Sequence, residues 1–191
     1  MTSQEARTIA AAHLSEKRMY HSDCVAKCAV ELANRNGADP EKAEIAGLLH
    51  DIMKEEPDDV LLKTLEGSAI MQDNCFGGCK PIWHSFAGAV YACKAFHLTD
   101  DLCDAIYYHT CGHADMTPLE ECIFLADYIS DDRTFPGSSE VREIAKSDIK
   151  LAIFTALKNM ILHLVEQGRV VMPLSLEAYN YYASLASMNK D

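Results

Sequence analysis

The sequence is poor in positive charge. Its 17 Lys and Arg residues stand against 29 Asp and Glu residues, which gives a formal net charge of -12 at pH 7. Proteins that bind nucleic acid or anionic membranes without specificity depend on clustered Lys and Arg. The composition therefore predicts no nucleic-acid partner and no membrane partner, although an acidic protein can still bind phosphate groups through metal ions.

Long hydrophobic runs and flexible linkers are also missing. No segment approaches the roughly 18 uninterrupted apolar residues of a membrane-spanning helix. The N-terminal residues, which include Glu5 and Arg7, have no apolar core of the kind found in signal peptides. No Gly-, Ser- or Pro-rich stretch divides the 191 residues, a length that allows one domain with a sizeable core. We therefore expect a single cytoplasmic domain over residues 1–191.

A disulfide framework is not indicated, although eight cysteines are present. Most of them lie within helical patterns rather than at compact, regular spacings, and we expect small buried apolar side chains there. Cys75 and Cys79 would suit half of a zinc site, but no second cysteine pair completes it. At these two positions we expect free thiols in a flexible loop.

Convincing alternating runs, the pattern of β-strands, are absent, and helical spacing of apolar residues dominates. Asp39 and Pro40 supply an N-cap and a first helical position, and Thr117 and Pro118 do the same further along. The sequence therefore predicts an all-α fold with a loop over 66–81. The predicted helices cover 3 to about 18, 21–37, 40–50, 57–65, 84–96, 99–109, 117–129, 139–167 with a possible break near 147, and 175–187.

Residues of metal-ligand type interrupt the apolar faces of these helices. His50 and Asp51 end the apolar run of the third helix, where a carboxylate is costly unless a positive group holds it. Asp127 lies on the face that Ile123 and Phe124 bury. His21, His84 and His109 occupy similar positions at or near the inner faces of other helices.

Imidazole and carboxylate ligands suit Fe, Mn, Zn or Ni, and the lack of thiolate ligands argues against a structural zinc site. His21, His50, Asp51 and Asp127 would hold one ion and leave coordination positions open. With His84 and His109 added, a second ion is expected, to which Asp51 offers its other oxygen. Two such ions generate a hydroxide nucleophile at neutral pH and neutralise a phosphate under attack.

Each of these residues also has a purely structural interpretation. A lone histidine on an apolar face is more often a satisfied core residue than a ligand, and a His-Asp pair can simply end a helix. The combination of all six favours the metal site. For His13, His97, His113 and His163 surface or structural roles are favoured, with His113 a possible exception.

The order His21, His50-Asp51, Asp127 in an all-α sequence resembles the HD-domain metal-dependent phosphohydrolases. More narrowly, the chain resembles the YqeK group, hydrolases that split diadenosine tetraphosphate symmetrically. The segments that carry this resemblance are RMYHS at 18–22, AEIAGLLHDIMK at 43–54, WH at 83–84, DAIYYHT at 104–110, ADYI at 126–129 and RTFPG at 133–137. They lie within about residues 18–145, and the helices beyond would complete the core of an HD-type bundle.

The resemblance implies a dinuclear centre, most typically of iron, bound by His21, His50, Asp51, His84, His109 and Asp127. It implies attack by a metal-activated hydroxide on an inner phosphorus of a dinucleoside polyphosphate, with two molecules of ADP as products. Asp51 and Lys54 would be the catalytic residues. Contacts to substrate would come from Arg18, Lys54, Thr110, His113 and Arg133.

Two segments depart from the pattern expected for the group. Ser130-Asp131-Asp132 stands where Glu-Pro-Asn is expected, and Cys111-Gly112-His113 replaces Ser-Gly-Arg. A histidine in place of an always-charged guanidinium changes phosphate and nucleoside recognition. If His113 contacts substrate, polyphosphate affinity should weaken as the pH rises through the neutral range.

Alternative functions use the same residues. An HD-type nucleotidase acting on nucleoside monophosphates shares the metal chemistry, and a nucleotide-binding protein without turnover is the alternative from another class. The complete set of six ligands argues against the latter. The C-terminal helices complete the core or form the face of a possible homodimer.

Overall fold

The computed structural model describes residues 1–188, which contain helices and no β-strand. The all-α prediction is confirmed. Three short 3₁₀ turns (Ala69–Gln72, Phe76–Gly78 and Lys80–Ile82) lie in the segment predicted as a loop. The helices are α1 Ser3–His13, α2 Glu16–Asn36, α3 Pro40–Leu49, α4 Asp58–Thr64, α5 Trp83–Phe96, α6 Asp100–Tyr108, α7 Pro118–Ile129, α8 Ser138–Ala145, α9 Ile149–Glu166 and α10 Pro173–Met188.

Local capping signals account for most helix starts. The Asp39 side chain accepts hydrogen bonds from the backbone N–H groups of Glu41 and Lys42 and so caps α3. Thr117 and Glu120 form a reciprocal capping box at the start of α7. The break predicted near residue 147 is also present, because α8 ends at Ala145 and a new cap begins α9.

The predicted boundary between the first two helices was wrong. The first helix ends at His13, and the Ser15 side chain caps α2 by accepting a hydrogen bond from the Arg18 N–H. His21 therefore lies inside α2 rather than at its start. The two-residue interruption at Leu14 and Ser15 is too short to disturb the helical spacing of apolar residues, so only the serine cap marks it.

Helix α3 lies at the centre of the fold and packs against α1, α2, α6 and α7. Every residue from Ile45 to Leu49 is buried. Gly47 lets the backbones of α2 and α3 approach closely, since a Cβ there would come within 2.6 Å of Ala26 Cα. His50 and Asp51, which follow the end of α3, are consequently buried among neighbouring helices.

A buried carboxylate ties the C-terminal helices to this core. Glu121 of α7 is fully buried and accepts hydrogen bonds from the Tyr182 hydroxyl at 2.6 Å and from Asn36 Nδ2 at 2.8 Å. Lys150 also pairs with it. These contacts link α7 to α2, α9 and α10. Tyr182 of α10 is fully buried.

One pair of cysteines departs from the expectation of unpaired side chains. A disulfide joins Cys93 of α5 to Cys103 of α6, with their Cα atoms 5.9 Å apart. The tight turn between the two helices, in which His97 has a φ of 53°, brings the pair together. The free cysteines are Cys24, Cys28, Cys75, Cys79, Cys111 and Cys122. In the described part of the chain, no helix has the length and apolar character needed to cross a membrane.

Candidate metal centre

Five segments bring the six predicted ligands to one place. His21 comes from α2, His50 and Asp51 follow α3, His84 lies in the first turn of α5, His109 follows α6, and Asp127 lies in α7. All are buried except Asp127, which is partly exposed. Two groups have ligand atoms within 4.8 Å of one another and could each hold a metal ion: His21, His50 and Asp127, and His50, Asp51 and His109.

Asp51 occupies the middle of this arrangement. Its Oδ2 atom lies 3.5 Å from His50 Nε2 and 3.9 Å from His21 Nε2. Its Oδ1 atom lies 3.1 Å from His84 Nε2 and 3.7 Å from His109 Nε2. The two oxygens of one carboxylate thus face two different pairs of histidines. This is the arrangement that a carboxylate shared between two ions requires.

Asp127 supplies the second carboxylate. Its Oδ1 atom lies 2.9 Å from His21 Nε2 and 3.8 Å from His50 Nε2. The side chain projects towards the core because Asp127 follows the buried residues Ile123 and Phe124 by one helical turn. On one side of the centre, His21, His50 and Asp127 therefore have ligand atoms within 4.8 Å of one another, and Asp51 Oδ2 lies within 3.9 Å of both imidazole Nε2 atoms.

Backbone carbonyls orient two of the histidines. His50 Nδ1 donates to the Gly47 carbonyl at 2.7 Å, and His109 Nδ1 donates to the Ile106 carbonyl at 2.7 Å. The Nε2 atoms therefore carry lone pairs that point into the site, and both are buried without a hydrogen-bond partner among the described residues. A buried polar atom without a partner is destabilising, and a metal ion bound by these lone pairs removes that penalty. The donor set fits such an ion.

The protonation states also suit metal binding. Burial lowers the pKa of His50 and of His84 to about 4, so both rings are neutral at pH 7. Burial alone would raise the pKa of Asp51 and of Asp127, but the neighbouring histidines, and Arg133 for Asp127, outweigh it and the net shift is downward. His50 and His84 are therefore neutral imidazoles beside ionised carboxylates, which are the ligand forms. Burial alone would lower the pKa of His21, but the hydrogen-bonded Asp127 carboxylate outweighs it and the net shift is upward. Metal binding at His21 therefore displaces a proton.

Asp132 is a site residue that the sequence did not identify. Its Oδ2 atom accepts a hydrogen bond from His21 Nδ1 at 2.7 Å, and its Oδ1 atom accepts one from the Ser130 hydroxyl at 2.7 Å. The carboxylate fixes the His21 ring so that Nε2 faces Asp127. The only signal in the sequence was the departure from the expected Asn, which by itself indicated no contact with His21.

Three of the predicted substrate contacts border the centre. Arg18 donates to Asp51 Oδ2 at 2.7 Å, and Arg133 pairs with the Asp127 carboxylate. Lys54 Nζ lies 3.2 Å from the ring nitrogens of His84, and burial lowers the pKa of this lysine. These three cations are partly buried against the ligands.

Thr110 and His113 have different surroundings. Thr110 follows His109, and its hydroxyl is hydrogen-bonded to the Ser85 hydroxyl at 2.9 Å. His113 contacts other groups: its Nε2 atom lies 3.0 Å from buried Glu120, and its Nδ1 atom donates to the Ala114 carbonyl. Both ring nitrogens have partners within the protein. The geometry thus does not support the predicted contact of His113 with substrate or the pH dependence expected from it.

The loop cysteines form no metal site in the part of the chain that the structure describes. Among residues 1–188, neither Cys75 nor Cys79 belongs to a group that could hold a metal ion. Both are free thiols, as the sequence predicted. The nearby chain is held by other contacts, including a hydrogen bond from the Trp83 indole to the Phe76 carbonyl at 2.9 Å and stacking of the two rings.

Comparison with known proteins places this geometry in context. Residues 18–132 match the HD domain. A symmetrical bis(5'-nucleosyl)-tetraphosphatase of Bacillus subtilis is 36% identical over 185 residues, 96% of this chain and 99% of the relative. One of Halalkalibacterium halodurans is 37% identical and covers 88% of this chain and 90% of the relative. A Clostridium acetobutylicum crystal structure, described as a predicted HD superfamily hydrolase involved in NAD metabolism, has a TM-score of 0.90 at 31% identity, covering 96% of this chain and 98% of that one.

Proposed function

The chain belongs to the HD domain family and, within it, to the group of the symmetrical bis(5'-nucleosyl)-tetraphosphatases, and on this basis we propose that it hydrolyses diadenosine tetraphosphate to two molecules of ADP. The observation that supports this proposal best is the position of Asp51, whose two oxygens face two pairs of histidines. A binding protein without turnover has no need of such a centre.

The residues that would hold the metal are His21, His50, Asp51, His84, His109 and Asp127. We propose that these ligands hold two iron ions. Manganese, zinc and nickel are the alternatives, since imidazole and carboxylate ligands accept all of these metals. When bound, such a pair supplies an activated water at neutral pH and positive charge for the phosphate under attack. Asp51 orients both halves of the centre, because one carboxylate contacts both histidine pairs.

The cations beside the centre have separate roles in this proposal. Arg133 is suited to bidentate contact with phosphate oxygens, and Arg18 offers a second guanidinium. Lys54 lies on the side of His84 and neutralises charge on the departing nucleoside diphosphate. The second pKa of a terminal phosphate is about 6, so the nucleoside diphosphate leaves as an anion at neutral pH. A nearby positive charge therefore stabilises this leaving group, and no proton has to be donated to it.

Product analysis of protein purified without oxygen tests this function. The metal content is measured first, and diadenosine tetraphosphate is then supplied. We expect two metal ions per chain and ADP as the single nucleotide product. Formation of AMP with ATP would contradict symmetrical cleavage. Release of phosphate and nucleoside from a monophosphate would favour the nucleotidase, and nucleotide binding without hydrolysis would favour the non-catalytic protein.

The contact between Asp132 and His21 leads to a prediction about metal affinity. We expect Asp132→Ala to weaken binding of the ion at His21 by about tenfold to a hundredfold, as is usual when the partner of a ligating histidine is removed. Asp132→Asn keeps one acceptor oxygen and should retain most of the affinity. Competition with a chelator of known affinity measures the change.

The neighbouring residue provides a matched control for this experiment. Asp131 carries the same charge, but its side chain is exposed, and among the described residues its ion-pair partner is Lys27, at 3.3 Å. Asp131→Ala should leave metal affinity unchanged. If both alanine variants bound metal equally well, Asp132 would have no role in holding His21.

The remaining expectations stay predictions. They are a homodimer formed through the C-terminal helices, the lack of a nucleic-acid partner and a cytoplasmic location. Sedimentation of the metal-loaded protein would settle the oligomeric state.

A further inference from the structure

A cavity of about 490 Å³ opens beside the metal centre. We propose that it holds one nucleoside of the substrate, with the base stacked on Phe135 and its polar edge directed at helix α9. This proposal rests on the proposed function, because it assigns a place to one half of a dinucleoside polyphosphate. Neither the sequence motifs nor the relatives assign a role to the α9 residues in this cavity.

One end of the cavity is the metal centre itself. His109, Asp127 and Arg133 line the cavity and also belong to the centre or border it. Arg133 thus lies where the cavity and the centre adjoin, and its guanidinium is suited to bind the phosphate chain of a ligand that extends from one into the other. The chemistry at this end selects a ligand that has an anionic group at one terminus.

The walls of the cavity suit a flat, largely apolar group. Tyr128 and Phe135 meet at a ring-centroid distance of 4.9 Å with their planes perpendicular at 88°. Phe124 and Met160 add further apolar surface. Perpendicular rings form a corner in which a base can stack on one ring and place its edge against the other, and Phe135 is 39% exposed and therefore accessible.

Polar groups of α9 also line the cavity. Asn159 and His163 lie one helical turn apart on α9 and both line the cavity. The Asn159 amide lies beside Gly137, where a Cβ would come within 3.0 Å of its Nδ2 atom. A few polar groups in an apolar pocket are typical of small-molecule sites, and an Asn amide can pair with the donor and acceptor of an adenine edge.

The segment that carries Phe135 is held in place by its own contacts. The Ser138 hydroxyl donates to the Phe135 carbonyl at 2.8 Å. Arg142 donates to the Arg133 carbonyl at 3.1 Å and to the Ser130 carbonyl at 2.9 Å. The aromatic wall is therefore organised before a ligand arrives, which lowers the entropy lost on binding.

Two ligands distinguish binding of the nucleoside from binding of the phosphates. ADP contains a nucleoside and a diphosphate, whereas methylenediphosphonate is a diphosphate analogue without a nucleoside. Their dissociation constants are measured by calorimetry on metal-loaded protein. We expect Phe135→Leu to weaken ADP binding about tenfold to a hundredfold, the loss that follows removal of a stacking ring. Binding of methylenediphosphonate should not change. Phe135→Tyr, which keeps the ring, should retain ADP affinity.

A second variant and a control complete the design. His163 is exposed, so His163→Ala should fold normally and should weaken ADP binding severalfold with methylenediphosphonate unaffected. Leu162 is its neighbour on α9, is 52% exposed and does not line the cavity. Leu162→Ala should therefore bind both probes as the unaltered protein does.

The outcomes distinguish this proposal from the function on which it rests. The assignment of the cavity would be overturned if Phe135→Leu and His163→Ala both left ADP affinity unchanged. It would also be overturned if they weakened the binding of ADP and of methylenediphosphonate equally. If the unaltered protein failed to hydrolyse diadenosine tetraphosphate, the proposed function would be lost. The dissociation constants of ADP and methylenediphosphonate for the two variants would still decide whether the cavity binds a nucleoside.

Discussion

Asp51→Asn is expected to lower kcat/KM for diadenosine tetraphosphate by at least about a thousandfold and to reduce the bound metal. The amide keeps the volume of the side chain but removes the negative charge that faces His21 and His50 on one side and His84 and His109 on the other. Metal ions supply several kcal/mol of transition-state stabilisation, and a thousandfold loss corresponds to about 4 kcal/mol.

The measurement combines steady-state kinetics with metal analysis of the same sample. Asp23→Asn serves as the control, because this aspartate forms an ion pair with Arg7 on the surface, where both side chains are about 40% exposed. The control should keep its metal and its activity. Full occupancy of both ions in Asp51→Asn would show that this carboxylate is not shared between them.

Gly47→Ala is expected to destabilise the protein by about 3 kcal/mol or more, and its metal affinity should fall as well. The added Cβ would lie 2.6 Å from Ala26 Cα and 2.9 Å from Ala26 N. These are backbone atoms that cannot rotate away, so α2 and α3 must separate, and the effect lies at or above the upper end of overpacking costs. For a chain of this size we expect a fall in Tm of roughly 6–12 °C.

The effect on the metal follows from the same displacement. Helix α2 carries His21, while the Gly47 carbonyl accepts the hydrogen bond that orients His50. Gly88→Ala is a matched control in α5, since a Cβ there meets Ile52 Cγ2 at an ordinary 3.6 Å. That variant should melt at or slightly above the unaltered temperature, because alanine favours helix over glycine. Equal Tm values for the two variants would contradict the close packing of α2 on α3.

Local signals explain why most helices could be predicted. Asp39 with Pro40 and Thr117 with Glu120 act on the N–H groups of the first turn that follows them. Such contacts span only two or three residues, so they can be recognised without knowledge of the fold. The start of α2 was missed because its only marker, the Ser15 cap, lies between two runs with compatible helical spacing.

The six ligand-type residues could be selected for a related reason. Each was a histidine or carboxylate at an apolar position of its own helix, such as Asp127 after Ile123 and Phe124, and a polar group there requires a partner. The identity of that partner could not be inferred in the same way. Asp132 accepts a hydrogen bond from His21, which lies 111 residues earlier in the chain, and the Glu120 carboxylate lies 3.0 Å from His113 Nε2.

The linear order of residues was sufficient to determine the helical class, most helix ends and the set of side chains that could bind metal, because each depends on spacing or capping within a few turns. Only the folded arrangement decided that Asp51 turns one oxygen towards each histidine pair, that Asp132 orients His21, and that α9 borders a cavity at the centre. Those features depend on distances between helices far apart in the chain, which are set by packing details such as the close approach at Gly47.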